Sequence, residues 1–301
     1  MPSTATLSEN SRGILFMLAS TMSFILSDTF VKLASEELSV AQIIILRSLI
    51  TAPPVAFVAW RQGAFANFGS LAERFLALRA IGEVGATALY LSALAHMAIA
   101  NATAIVQTVP LAGTAAAALF LNERVGIRRW SAVAIGFAAV LVIVRPGLEG
   151  FNGWSLVALA SVAFIVLRDL SSRFLPASTH PLAVSAMSLT VLIPLGLLML
   201  PFEAWHPVTR AAFFHCAGSG FFIACGFVFI THAMRTGKMA VVAPFRYAVL
   251  LWAIIIQIVI FGIAPDLLTL AGSAVLVATG FYTLYRERKV KEAGAARTAA
   301  G

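Results

Sequence analysis

The sequence predicts an all-α integral membrane protein: ten transmembrane helices as two inverted five-helix repeats, with both termini cytoplasmic. Three observations carry this. Of the 301 residues 60% are hydrophobic and 11% charged, with a mean hydropathy of +0.93, far from the usage of soluble domains. The apolar residues fall into ten runs long enough to cross hydrocarbon. The second half of the chain also repeats features of the first at a nearly constant offset. Too little chain lies between the runs for a separate soluble domain.

In order, the spans are 12–34, 40–60, 73–96, 99–121, 130–147, 152–174, 180–201, 210–233, 237–262 and 266–285, each bounded by charges, Gly or Pro. The first follows a polar tail, residues 1–11, and holds Asp28 without a small-residue cleavage site, so it reads as an uncleaved span. The second carries Arg47, and the third carries Glu83 and Tyr90. The fourth carries Asn101, Thr103, Gln107 and Thr108, a kink at Pro110, then the small residues 112–118, which suit close helix packing. The sixth ends with Asp169 and Arg173. The eighth holds the two cysteines, Cys216 and Cys225, too far apart along one helix for a disulfide. The ninth, with Pro244, Arg246 and Gln257 inside an apolar run, is the stretch around which the rest is organised. Pro244 removes a backbone donor, frees the carbonyl of Ala240, and predicts a kinked, polar-faced turn near the midplane. The domain organisation expected is a first repeat over 12–147, a second over 150–285, and a basic cytoplasmic tail over 286–301.

Charge sets the orientation. With the amino terminus inside, sixteen Lys and Arg residues fall in inside segments and only Lys32, Arg145 and Arg210 fall outside. The net charge of +8 therefore reflects basic residues between spans, not a nucleic-acid-binding stripe.

An offset of 141 brings Leu18-Ala19-Ser20 onto Leu159-Ala160-Ser161, Asp28 onto Asp169 and Lys32 onto Arg173. Further on, an offset of 134 brings Val109-Pro110 onto Ala243-Pro244. Because each half has five spans, the second enters the membrane inverted, a recurrent plan for secondary transporters. The pairs Asp28/Lys32 and Asp169/Arg173, each spaced i, i+4, then lie at opposite mouths and are gate candidates; interfacial snorkelling is the alternative.

Ionisable groups at depth need partners. Glu83 and Arg246 are candidates for substrate binding or coupling, Glu83 as a protonatable site or as the fixed partner of an arginine, and Arg246 through pairing with Glu83, substrate or a wet cavity. Arg47 matches Asp28 in depth and is expected to form a structural pair with it. Gln107 is the neutral polar group expected to face substrate; Tyr90, Tyr247 and Trp252 are aromatics that could stack on a planar ligand or serve as core. No HExxH, GxSxG or P-loop occurs, and the five histidines have no ligand spacing, so neither an enzyme, a metal nor another cofactor is expected.

Leu121-Asn122-Glu123-Arg124, Val144-Arg145-Pro146-Gly147 and Ala243-Pro244-Phe245-Arg246-Tyr247 together resemble the EamA-type drug/metabolite transporter (DMT) superfamily over nearly the whole chain. The resemblance implies a ten-helix bacterial inner-membrane carrier with a central cavity. Where that family commonly ends the ninth span with an acidic residue, this chain has Ile263, while Glu123 keeps the first-half equivalent. Leu78-Arg79-Ala80-Ile81-Gly82-Glu83 is similar to a branch that includes bacterial riboflavin importers, and Pro244–Tyr247 is also similar to S-adenosylmethionine importers. The function expected is alternating-access transport of a small organic metabolite, riboflavin uptake first. Export of amino acids or drug-like metabolites, or S-adenosylmethionine import, is the alternative, and a membrane scaffold or receptor the different class. A monomer suffices to enclose a path, with a homodimer as the other arrangement.

Overall fold

A computed structural model describes residues 9–65, 70–121, 126–145, 152–176, 179–236 and 239–299. Glu123, residues 1–8 and the junction at 146–151 lie outside the described residues, as do the side chains of 286–299. The secondary structure among the described residues is entirely helical. In chain order the helices are α1 (Glu9–Ala34), α2 (Val40–Arg61), α3 (Ser70–His96), α4 (Ile99–Val106), α5 (Val109–Phe120), α6 (Ile127–Val144) and α7 (Trp154–Arg173). There follow α8 (Pro181–Thr190), α9 (Leu192–Met199), α10 (Arg210–Thr236), α11 (Met239–Val242), α12 (Ala248–Phe261) and α13 (Leu267–Ala299). Eight helical stretches are long and apolar enough to cross a membrane, and Arg129–Val144 and Leu267–Thr283 are shorter apolar helices.

Three of the expected spans are broken. In the fourth, Gln107 and Thr108 interrupt the helix between α4 and α5 because Pro110, in the first turn of α5, cannot donate to the carbonyl one turn back. In the ninth, Pro244 opens a 3-10 turn, Ala243–Tyr247, between α11 and α12, where a kinked turn was expected. The break at Val191 between α8 and α9 was not expected, and Pro194 is its local cause. Helix α13 runs on to Ala299, so the expected tail at 286–301 continues the helix through most of its length.

Helix ends are held by local chemistry. At the start of α2, Ser39 and Gln42 form a reciprocal capping box. Gly262 ends α12 at φ +66°, a left-handed conformation that costs a glycine nothing. Where α13 begins, Asp266 accepts from the Thr269 N–H at 2.8 Å and is ion-paired with Arg145 of the α6 end. Burial pushes the Asp266 carboxyl up, but Thr269 and Arg145 outweigh it and hold it below the usual carboxylate value.

The long helices pack as pairs: α1 along α10, α3 along α7, α2 on α8 and α9, and α6 on α13. Small residues bring their backbones together. Ser27 donates to the Ser219 carbonyl at 3.0 Å between α1 and α10, and a Cβ on Gly82 would lie 2.6 Å from the backbone nitrogen of Arg168 between α3 and α7. The core, with Ile25, Ile43, Leu94, Ile99 and Ile105 fully buried, lies around α4 where α1, α3, α7 and α12 converge.

Candidate functional site

Polar groups gather where the broken fourth span meets α1 and α3. Tyr90 of α3 donates its phenol hydrogen to Oδ2 of Asp28 on α1 at 2.6 Å. The Thr103 hydroxyl lies against that phenol without a hydrogen bond of good geometry, and one turn further along α4 the Gln107 Nε2 also has no partner. Thr103 and Gln107 are buried, 5% and 8% exposed. Two unmet donors on one helix face, at a point where the helix itself is interrupted, are what a polar ligand would satisfy, since a buried donor without an acceptor is costly.

Arg47 of α2 borders the same region. Its charge interacts with those of Asp28 and Glu83. Of the expected structural pair, Asp28 is bonded to Tyr90 and no ion pair within 4 Å joins it to Arg47. Asp28 and Lys32 do not pair with each other either. Lys32 instead donates to the carbonyls of Leu94 (3.0 Å) and Met97 (2.7 Å) at the end of α3, over the Phe261 ring. Carbonyls at a helix C-terminus are unsatisfied and electronegative, so a nearby lysine prefers them to a carboxylate already occupied by a phenol.

Glu83 sits in a separate network. It lies 3.9 Å from Arg79 one turn earlier on α3 and 3.6 Å from Arg168 on α7. Arg79 donates to Ser172 (2.8 Å) and Ser188 (3.1 Å), and Arg168 donates to Asp169 at 3.0 Å. Of the two roles expected for Glu83, this geometry is that of the fixed partner, and the expected pairing with Arg246 is not formed. Arg79 and Arg168 were missed as its partners; the i, i+4 spacing of Arg79 and Glu83 was the available signal. Arg173 ends α7 beside this network.

The ninth span contributes differently from expectation. Arg246 is exposed on the 3-10 turn. Tyr247 is buried, its ring 5.9 Å from Phe281 and its hydroxyl against Gly280 of α13, so it packs the core. Trp252 donates to the Thr21 hydroxyl of α1 at 3.2 Å. Gln257, buried, accepts from the Ala100 N–H at 2.9 Å and so caps the first turn of α4, a partner that no spacing in the sequence disclosed.

The EamA-like transporter family matches residues 11–145, the part that supplies Asp28, Arg47, Glu83, Tyr90, Thr103 and Gln107. That match covers 135 of the 301 residues, somewhat under half of the chain. Among similar proteins, the S-adenosylmethionine uptake transporter of Rickettsia conorii is 27% identical over 64% of this chain and 65% of its own length. The riboflavin transporter of Vibrio cholerae is 27% identical over 67% of this chain and 68% of its own. The pseudopaline exporter of Pseudomonas aeruginosa is 26% identical over 92% and 97%. The chain thus spans slightly under two thirds of the length of the Rickettsia relative. A solved crystal structure shares the fold with a TM-score of 0.62 at 17% identity, over 92% of this chain and 98% of that one. With its apolar helices and bacterial transporter relatives, this EamA-domain protein is a multi-pass inner-membrane protein.

Proposed function

We propose that this EamA-domain protein is a secondary-active carrier that moves a small organic metabolite by alternating access through ten spans in two inverted repeats, 12–147 and 150–285, with both termini cytoplasmic. The observation that carries the reading is the break of α4 and α5 at Pro110, with Thr103 and Gln107 unmet beside it, matched by the break at Pro244 in the other half. Paired interruptions at corresponding positions are the mark of a transporter site. The packing supports the repeat. Advancing every helix by five spans turns the α1–α10 contact into the α7–α3 contact, and turns α4 and α5 on α7 into α12 on α1. A scaffold or receptor has no use for buried donors held open in this way.

Substrate would bind between α1, α2, α3 and α4, with Gln107 as the neutral contact. Lys32 on the α3 carbonyls would help to close one mouth, and Asp169, held by Arg168, with Arg173, the other. Riboflavin uptake is the first activity to assay, because one relative carries that name and riboflavin is planar; S-adenosylmethionine uptake stands beside it because another relative carries that one. The test is uptake of both labelled solutes into proteoliposomes with and without a proton gradient, beside Gln107→Leu and Arg246→Ala. Saturable uptake abolished in Gln107→Leu supports the site at the break. Uptake of neither solute, together with no export of amino acids or related metabolites, would sink the carrier reading.

A further inference from the structure

Asp28 and Arg47 are opposite charges on adjacent helices, and neither is neutralised by an ion pair. Among the described residues no ion pair or hydrogen bond reaches the Arg47 guanidinium, and none of its nitrogens is a sealed, unsatisfied atom. The residue is half-buried, and its unpaired guanidinium nitrogens keep some accessible surface. Asp28 keeps one carboxylate oxygen on Tyr90 and is likewise half-buried. Arg47 is seven residues into α2 and Asp28 six residues from the end of α1, so both lie about 10 Å from the same end of the bundle. An arginine at that depth in a membrane helix stays solvated by a wet cavity or takes an anionic partner, and dehydration of the cavity as the carrier closes leaves only the partner.

We infer that Asp28 and Arg47 together recognise a zwitterionic head group of the α-amino-acid type. Arg47 takes the carboxylate through its planar fork, and Asp28, oriented by the Tyr90 phenol, takes the ammonium. The head group then neutralises both charges at once, which neither a simple anion nor an uncharged planar ring does. Thr103 and Gln107, deeper along the broken span, offer donors to an acceptor on the remainder of the same solute. This rests on the carrier reading above and selects within it: a solute such as S-adenosylmethionine, which carries such a head group, is favoured over riboflavin, which carries none.

The test measures flux and competition in proteoliposomes of the full chain, using S-adenosylmethionine, decarboxylated S-adenosylmethionine, riboflavin, and the α-amino acids beside their methyl esters. The wild type is expected to discriminate against the member of a pair that lacks a free carboxylate by about 30-fold or more. That preference should collapse to within about 3-fold in Arg47→Gln and be reduced but retained in Arg47→Lys, which keeps the charge, loses the bidentate fork and guards against a folding defect. Asp28→Asn should weaken the zwitterions and leave riboflavin competition unaltered. Flux of riboflavin alone, or a carboxylate preference undiminished in Arg47→Gln, would overturn the inference and leave the carrier intact. Absence of flux for every solute would remove the carrier reading, and this inference with it.

Discussion

Glu83 lies between two guanidinium groups at 3.9 and 3.6 Å, with its side chain 16% exposed. Replacing its carboxylate leaves Arg79 and Arg168 facing each other across a poorly solvated gap, where the loss of one member of such a network costs about 3 kcal/mol. Glu83→Gln is therefore expected to lower the thermal unfolding temperature of the purified protein markedly, and any loss of flux should follow that lost stability. An unchanged unfolding temperature accompanied by loss of gradient-driven flux alone would return Glu83 to the coupling role that its depth in the sequence allowed. Residue chemistry by itself left both roles open, because a carboxylate eleven residues into a span reads the same whether its neighbour across the bundle is a cavity or Arg168.

Among the elements, the α3–α7 contact depends on a missing side chain. A Cβ on Gly82 would meet the Arg168 backbone at 2.6 Å, and backbone does not move aside as a flexible side chain does. Gly82→Ala is expected to cost about 2 kcal/mol or more in chemical or thermal unfolding. Gly113, in α5, has nothing within 4 Å of such an atom; Gly113→Ala is expected to be neutral or to stabilise by about 0.5–1 kcal/mol, because alanine gives up less backbone entropy in a helix. The two substitutions made side by side separate close packing from helix propensity. The α6–α13 junction gives a pH effect. The Asp266 carboxyl is lowered relative to its unfolded value, so its contribution is present above the unfolded value near pH 4 and is lost as pH falls through the lower folded one. The wild type should lose its advantage over Asp266→Asn below about pH 4, by a small amount because the Asp266 side chain is 52% exposed. Thermal scans of both proteins from pH 6 downward would read it, and an advantage that grew on acidification would refute the assignment.

For the whole molecule, the proposed ten-span arrangement places sixteen basic residues on one side against three on the other, which by the positive-inside rule predicts both termini in the cytoplasm. Fusions of green fluorescent protein and of alkaline phosphatase to the carboxyl end are expected to be fluorescent and inactive respectively, and an active phosphatase would invert the arrangement. The sequence by itself determined the helical membrane class and the sites of the breaks at Pro110 and Pro244, because length, hydropathy and the missing proline N–H act locally along the chain. Only the tertiary structure decided which polar groups meet: Glu83 with Arg79 and Arg168, Lys32 with the carbonyls of Leu94 and Met97, Gln257 with α4, and Arg47 in no ion pair among the described residues. Each of those outcomes turns on which face of a helix a neighbour covers and how closely two backbones approach, and in spans apolar all round, hydropathy records neither.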